Sequence, residues 1–280
     1  MNLLHRHKST TLPKHLRLLD LCTGSGCIPL LAHYELCQKH GRASGDLEMV
    51  GVDVSPLALA LSKKNLRRLV ADGTLQQRPN LQFLQADILV HKDKDRAEGA
   101  GIPSLDSALQ QYDSQSATPR KGNWDILISN PPYISPAAFA HTTTRSVKRY
   151  EPLLALVPPS SPSSSNQAEQ RDSIDQGDLF YPHLLTIANT LSVKVALFEV
   201  ADLQQAKRVA AMAEEQNIWD GIEIWRDDPS SHDYQEHSEE VVMDGKFKVV
   251  GAGNGRSVVV YRGVGRDWMG VKDRMSDPAC

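Results

Sequence analysis

The chain has 280 residues, is 40% hydrophobic and 23% charged, and carries a formal net charge of -3. This is ordinary globular composition, enough for one large core or two small ones. No apolar run approaches the length of a bilayer span, and no global basic field draws the chain to nucleic acid.

The first nineteen residues hold Arg6, Lys8, Lys14 and Arg17, several histidines and hydroxyl residues, and no acid. That composition suits an organellar transit segment, and equally a short basic tail over residues 1–15. The cysteines are Cys22, Cys27, Cys37 and Cys280, with no CxxC pair. They suggest no disulfide framework and point to a reducing compartment.

Leu16 to Leu21 reads as a largely apolar strand, with Asp20 near its end. The turn Cys22-Thr23-Gly24-Ser25-Gly26-Cys27 follows, and then an amphipathic helix from about Ile28 to Gln38. Strand, glycine turn and helix open a nucleotide-binding α/β unit, the glycines letting backbone approach a ligand. A Gly-Ser-Gly turn alone is common and weak evidence. The next strand, Leu47 to Val52, ends on Asp53, whose two oxygens can hold both hydroxyls of a ribose. The competing role for Asp53 is a helix cap. Ser55-Pro56 already supplies a cap and a first-turn proline for a helix from Pro56 to Val70, which favours ligand binding.

Asn80 to Gln85 is a third strand, followed by Asp87 and Ile88. A carboxylate at this edge can accept from an adenine amino group, with Ile88 against the ring; a solvated loop Asp is the plainer reading. Residues 91–122 are polar without a period and read as a flexible insertion.

The apolar run Trp124 to Ser129 reads as a buried strand. It ends in Asn130-Pro131-Pro132-Tyr133. Two prolines fix two φ angles and contribute no N–H, leaving carbonyls as acceptors. Such a loop can grip a planar NH2 group between the Asn130 side-chain oxygen and the Pro131 carbonyl, with Tyr133 covering its face. Read alone, it is as readily a strand-ending turn.

Residues 158–176 form a Pro/Ser-rich insertion. A helix runs from Gly177 to about Leu191, a strand from Val193 to Val200, and a helix from Ala201 to Asn217 with Leu203, Ala206, Val209, Ala210 and Ala213 on one face. Ile222 to Trp225 is a short strand. Residues 227–246 form an acidic insertion in which His232 and Glu236 have metal-like spacing but read as solvated loop, so no metal is expected. Phe247 to Val250 and Val258 to Arg262 are strand pieces joined across glycines, and residues 266–280 form a frayed tail.

Strands alternate with helices, so the fold is α/β with a mainly parallel sheet. Asp53, Asp87 and Asn130 would line one crevice beside the glycine turn. The turn lacks a Walker lysine and the full dinucleotide spacing. That leaves a nucleoside ligand without pyrophosphate, such as S-adenosylmethionine.

Leu18-Leu19-Asp20-Leu21-Cys22-Thr23-Gly24-Ser25-Gly26 resembles the first motif of class I methyltransferases. Asn130-Pro131-Pro132-Tyr133-Ile134 resembles their motif for methylating planar amino nitrogens. Arg149-Tyr150-Glu151-Pro152, with Leu154 to Val157 behind it, resembles the HemK-type protein-glutamine N5-methyltransferases, as do Leu197-Phe198-Glu199-Val200 and Gly255-Arg256-Ser257-Val258-Val259. The resemblance runs from about Leu16 to Arg262. It implies a Rossmann-like, mostly parallel seven-stranded sheet with an antiparallel C-terminal strand and helices on both faces, over residues 16–265. It implies S-adenosyl-L-methionine as cofactor, held by Asp20, Cys22, Thr23, Gly24, Ser25 and Gly26 at its methionine part, by Asp53 at the ribose and by Asp87 and Ile88 at the adenine. Asn130, with Pro131, Pro132 and Tyr133, would carry catalysis, Asn130 lying against the cofactor too.

The implied substrate is the glutamine of a Gly-Gly-Gln loop in a peptide-chain release factor, with no membrane partner and nucleic acid disfavoured as substrate. The implied compartment is the mitochondrion, or otherwise the cytoplasm. Alternatives are a ribosomal-protein glutamine, adenine N6, and an inactive cofactor-binding module. Family members usually carry an N-terminal helical domain ahead of the first strand. Its absence before Leu16 predicts a fragment, or a substrate grip supplied by the insertions.

Overall fold

A computed structural model describes residues 12–39, 41–43, 46–77, 79–90, 101–115, 122–159, 176–229, 240–242 and 247–270. The N-terminal basic residues 1–11, most of the three insertions, His232 with Glu236, and the tail from 271 lie outside the described residues.

Nine strands form one sheet. They are β1 (Leu16–Leu21), β2 (Leu47–Asp53), β3 (Leu81–Gln85), β4 (Ile126–Ser129), β5 (Val195–Glu199), β6 (Gly221–Asp228), β7 (Glu240–Val242), β8 (Phe247–Val250) and β9 (Ala252–Tyr261). Their order is β3-β2-β1-β4-β5-β9-β6-β8-β7. The first five run parallel, and β9 is inserted antiparallel between β5 and β6. The seven strands through β6 have the class I methyltransferase arrangement. The sheet is nine-stranded rather than seven-stranded because β8 pairs parallel with β6, and β7 antiparallel with β8. The strand pieces either side of Gly251 are therefore not neighbours: β6 lies between β8 and β9.

The helices are α1 (Cys27–His33, continuing as a π-helix over Tyr34–Lys39), α2 (Pro56–Ala71), α3 (Leu105–Gln115), α4 (Pro136–His141), α5 (Arg145–Tyr150), α6 (Phe180–Thr190), α7 (Leu203–Glu215) and α8 (Gly265–Trp268). They cover both faces. β1 shows why its sequence is nearly continuous Leu: Leu19 and Leu21 join one core with α3, α6 and α7, while Leu16 and Leu18 join the other with α1 and α2. A parallel strand buried on both faces has no polar side to show. Helix α7 buries Ala206, Val209, Ala210 and Ala213, the helical spacing read from the sequence.

Residues 91–122 are not irregular throughout. Their middle is α3, which buries Leu105, Ala108, Leu109 and Tyr112. The helix also delivers Asp113 to a charge cluster at the amino edge of the sheet. The Arg17 guanidinium, buried to 2% exposure, donates to Glu48 Oε1 and Asp113 Oδ1, each at 2.7 Å, and lies 4.2 Å from the centre of the Trp124 ring. These bonds tie β1, β2 and α3 together. Removing the cation would strand two buried carboxylates, a change that costs roughly 3–5 kcal/mol. Arg17→Ala should therefore lower the unfolding free energy by that order in a urea titration; a value within about 1 kcal/mol of wild type would show the cluster to be energetically idle.

Candidate active site

In-register parallel pairing sets the level of every loop at the carboxyl edge. Leu21 stands beside Val52 on one side and Ser129 on the other. Ser129 stands beside Phe198. The next residues along these strands are Cys22, Asp53, Asn130 and Glu199, so the four emerge together. The Ser129 hydroxyl donates to the Leu21 carbonyl at 2.8 Å and locks the ends of β1 and β4. The chain reverses its winding between these two strands, the place where open α/β sheets leave a crevice.

The glycine turn is braced from several sides. Gly24 N–H donates to Asp53 Oδ2 at 2.8 Å, and Ser55 N–H to Asp53 Oδ1 at 2.8 Å. Ser55 caps α2 by accepting from Ala58 N–H. Asp53 is thus relieved of capping but is not idle, since it ties the turn to β2. Each of its oxygens keeps a second lone pair for a ligand hydroxyl. Asn65 of α2 donates to the Ser25 carbonyl at 3.0 Å. At Gly26, φ is +78° and a Cβ would lie 2.8 Å from Phe83 Cζ. A Cβ at Gly51 would lie 2.6 Å from Thr23 Oγ1. The turn can seat on Phe83 only because these two positions lack side chains. Asn65, Gly51 and Phe83 were not singled out by sequence, because their contacts are with residues far along the chain.

Asp20 is fully buried. Thr23 Oγ1 donates to its Oδ2 at 2.6 Å, while Oδ1 has no hydrogen-bond partner among the described residues. Burial is the main cause raising its pKa to about 7, with the Asp53 charge adding to it. The Cys22 thiol, in a backbone conformation with φ +60°, is pushed far up, first by burial and then by Asp53, Asp20 and Asp87. Asp20 and Asp53 both bond to the turn, and Cys22 stays a neutral thiol.

Asp87 is held by Leu89 N–H on Oδ1 and by a bridge to Ser104, so the segment before α3 supports its loop. Ile88 is 7% exposed and belongs to the core. Asn130 is exposed, and its side chain makes no hydrogen bond among the described residues. Pro131 and Pro132 are buried, and Tyr133 is half-buried with its hydroxyl donating to Glu199 Oε1 at 3.2 Å. Burial, then Glu199, pushes Tyr133 up to about 12; burial also raises Glu199. The phenol remains neutral at physiological pH.

Beyond Tyr133 a cavity of about 620 Å³ opens at the carboxyl ends of β4, β5 and β6. Ile128, Leu197 and Trp225 form its apolar wall, and Glu199, Arg226, Asp227, Asp228 and Arg256 are charged groups in its lining. Asn130 follows Ser129, which is in register with Leu21 of β1 on one side and Phe198 of β5 on the other, and Ile28 and Leu31 of α1 also line the cavity.

No family model matches the chain. It is 30% identical over 212 residues to the probable MRF1 mitochondrial N(5)-glutamine methyltransferase mtq1 of Schizosaccharomyces pombe, covering 75% of this chain and 56% of that protein. It is 28% identical over 216 residues to the release factor glutamine methyltransferase of Haemophilus influenzae, covering 77% and 56%. The chain is a homologue of the release factor glutamine methyltransferases. It spans about half the length of these curated relatives. Over 120 residues it is also 32% identical to the ribosomal protein uL3 glutamine methyltransferase of Xanthomonas campestris, covering 42% of this chain and 25% of that protein. Among the described residues, no helix is long and apolar enough to cross a membrane.

The raised pKa of Asp20 has a thermodynamic sign. Below about pH 4 Asp20 is protonated whether folded or unfolded, and contributes nothing. Between its ordinary value of 3.8 and about 7 the folded chain keeps a proton that the unfolded chain has lost. Stability therefore falls as pH rises through that window, and the loss is complete above it. Asp20→Asn cannot ionise and keeps an acceptor for Thr23. Its melting temperature relative to wild type should climb from pH 4 to pH 7 and then level. A difference that stays flat with pH would show that Asp20 ionises normally.

Proposed function

We propose that this chain transfers a methyl group from S-adenosyl-L-methionine to the side-chain amide nitrogen of a glutamine in a peptide-chain release factor. The observation that carries this reading is the exposed, unengaged Asn130 side chain at the β1/β4 boundary, beside the acidic crevice and the cavity. The residues present fit the cofactor. The orphaned Asp20 Oδ1 suits an ammonium donor, the spare lone pairs of Asp53 suit ribose hydroxyls, and the acids bonded to the turn favour a cation.

The cofactor supplies an activated methyl group on a sulfonium. The chain's own work lies with the amide, whose nitrogen lone pair is delocalised into its carbonyl. Asn130 Oδ1 and the Pro131 carbonyl accept the two amide N–H groups, fix the plane and aim the nitrogen at the methyl carbon. The same acceptors stabilise positive charge as the N–C bond forms and the C–S bond breaks. This is orientation plus electrostatics. The proton leaves to water afterwards; neutral Tyr133 and Cys22 are not called on as bases.

Mitochondrial placement is supported by the naming of yeast relatives as mitochondrial and by the acid-free N-terminus. A ribosomal-protein glutamine is the second reading, favoured by the uL3 relative. The net charge of -3 counts against adenine in nucleic acid.

Mass spectrometry of a release factor incubated with the chain and labelled cofactor tests the proposal. The wild type should add one methyl to the glutamine of the Gly-Gly-Gln loop. Asn130→Ala should cut the single-turnover rate by roughly 10²–10³ while leaving S-adenosylhomocysteine affinity nearly unchanged. A normal rate in the folded variant would make Asn130 merely a strand-ending turn. Label on uL3 and none on the release factor would select the second reading.

A further inference from the structure

The loop carrying Asn130 has no regular structure of its own, yet its acceptors must be fixed for the chemistry proposed above. The β5–α7 turn, residues 199–205, holds it at two points. Gln205 is 3% exposed. The two hydrogens of its Nε2 are shared among Asp178 Oδ1 at 2.9 Å, Gly177 O at 3.1 Å and the Tyr133 carbonyl at 3.3 Å. Its Oε1 accepts from Ala201 N–H at 2.7 Å. Behind it Asp178, 5% exposed, is bound by both Nε and Nη2 of Arg208. The second point is the Tyr133 hydroxyl on Glu199.

The turn is itself tied down. Tyr181 Oη donates to the Glu199 carbonyl at 2.9 Å, Val200 N–H to Arg256 O at 2.9 Å, and Arg256 Nη1 to Ala201 O at 3.0 Å. Tyr133 is therefore gripped at its main-chain carbonyl and at the tip of its ring by a rigid neighbour. An amide is the side chain that suits position 205, because one end must donate and the other must accept. A carboxylate there would face two carbonyls and Asp178 with no proton to give.

We infer that Gln205 and Glu199 are positioning residues that set the Asn130–Tyr133 loop, and that Asp178 and Arg208 orient Gln205. This rests on the methyl-transfer reading. Neither residue touches the reacting atoms; both act through Tyr133.

The test combines kinetics on a release factor, affinity for S-adenosylhomocysteine, and amide hydrogen exchange over residues 129–134. Displacing a catalytic group by about an ångström costs on the order of 10²-fold in rate. Gln205→Leu should accordingly lower kcat at least about tenfold with KM and cofactor affinity within about twofold, and should speed exchange at Tyr133 and Ile134. Arg17→Ala is the structural control, since its charge cluster lies at the amino edge of the sheet, away from the loop. It should lower the melting temperature and leave kcat within about twofold. Glu199→Gln keeps an acceptor for the Tyr133 hydroxyl and should restore most of the rate lost in Glu199→Ala.

Equal kcat losses in Gln205→Leu and Arg17→Ala would overturn the inference, as would unchanged exchange in Gln205→Leu. If the wild type transfers no methyl group, the reaction reading falls by itself, and loop exchange still decides the clamp. If Gln205→Leu does not fold, the Glu199→Ala and Glu199→Gln pair decides it.

Discussion

The structure depends on one constraint: β1 is paired in parallel register with β2 on one side and β4 on the other. Parallel strands align their carboxyl ends, so the loops after them start at one level. Cys22, Asp53, Asn130 and Glu199 owe their proximity to that register rather than to any local contact. A shift of one residue in β4 would turn Ile128 and Ser129 to the wrong faces and carry Asn130 off the crevice. The bonds that resist such a shift are distributed along the strands. At the amino edge, Arg17 N–H donates to Asp125 Oδ2 at 2.9 Å while the Arg17 side chain holds β2 and α3. At the carboxyl edge, Ser129 holds Leu21. The charge cluster lies at the end of the sheet away from the site, so it can be strong without competing for a ligand.

The carboxyl edge carries two groups of charged residues, and the cavity over β4, β5 and β6 includes Glu199, Asp227 and Asp228 beside Arg226 and Arg256. Over β1, β2 and β3 the edge is acidic, with Asp20, Asp53 and Asp87 all acting on Cys22. Asp20 is costly to ionise in isolation, and that cost falls if a cation arrives beside its unpartnered oxygen. Over β4, β5 and β6 the edge opens into a cavity with an apolar wall. The Asn130–Tyr133 loop leaves β4 beside both, and bonds from β5 and α7 hold it.

Much of this was legible in the sequence. The strand-turn-helix of the first unit, the acids ending β2 and β3, and the Asn-Pro-Pro-Tyr loop are local patterns with local causes. Helix α7 was legible because its apolar residues recur at helical spacing. Helix α3 was not: its polar face dominates a low-complexity neighbourhood, and it is stabilised by Arg17, nearly a hundred residues away. The edge strand β7 was obscured by the acidic run around it, whereas β8 was read at Phe247 to Val250 and only its pairing with β6 was not. Gln205 read as one more polar residue at a helix start. Its significance lies in a bond to a carbonyl 72 residues upstream.

The most direct test of this arrangement is a crystal structure of the chain with S-adenosylhomocysteine. The account predicts the ribose hydroxyls within hydrogen-bond distance of Asp53, the amino-acid end over the Cys22–Gly26 turn near Asp20, and the sulfur pointing toward Asn130. Density for the ligand in the β4–β6 cavity instead, with Asp53 bound only to Gly24 and Ser55, would contradict it.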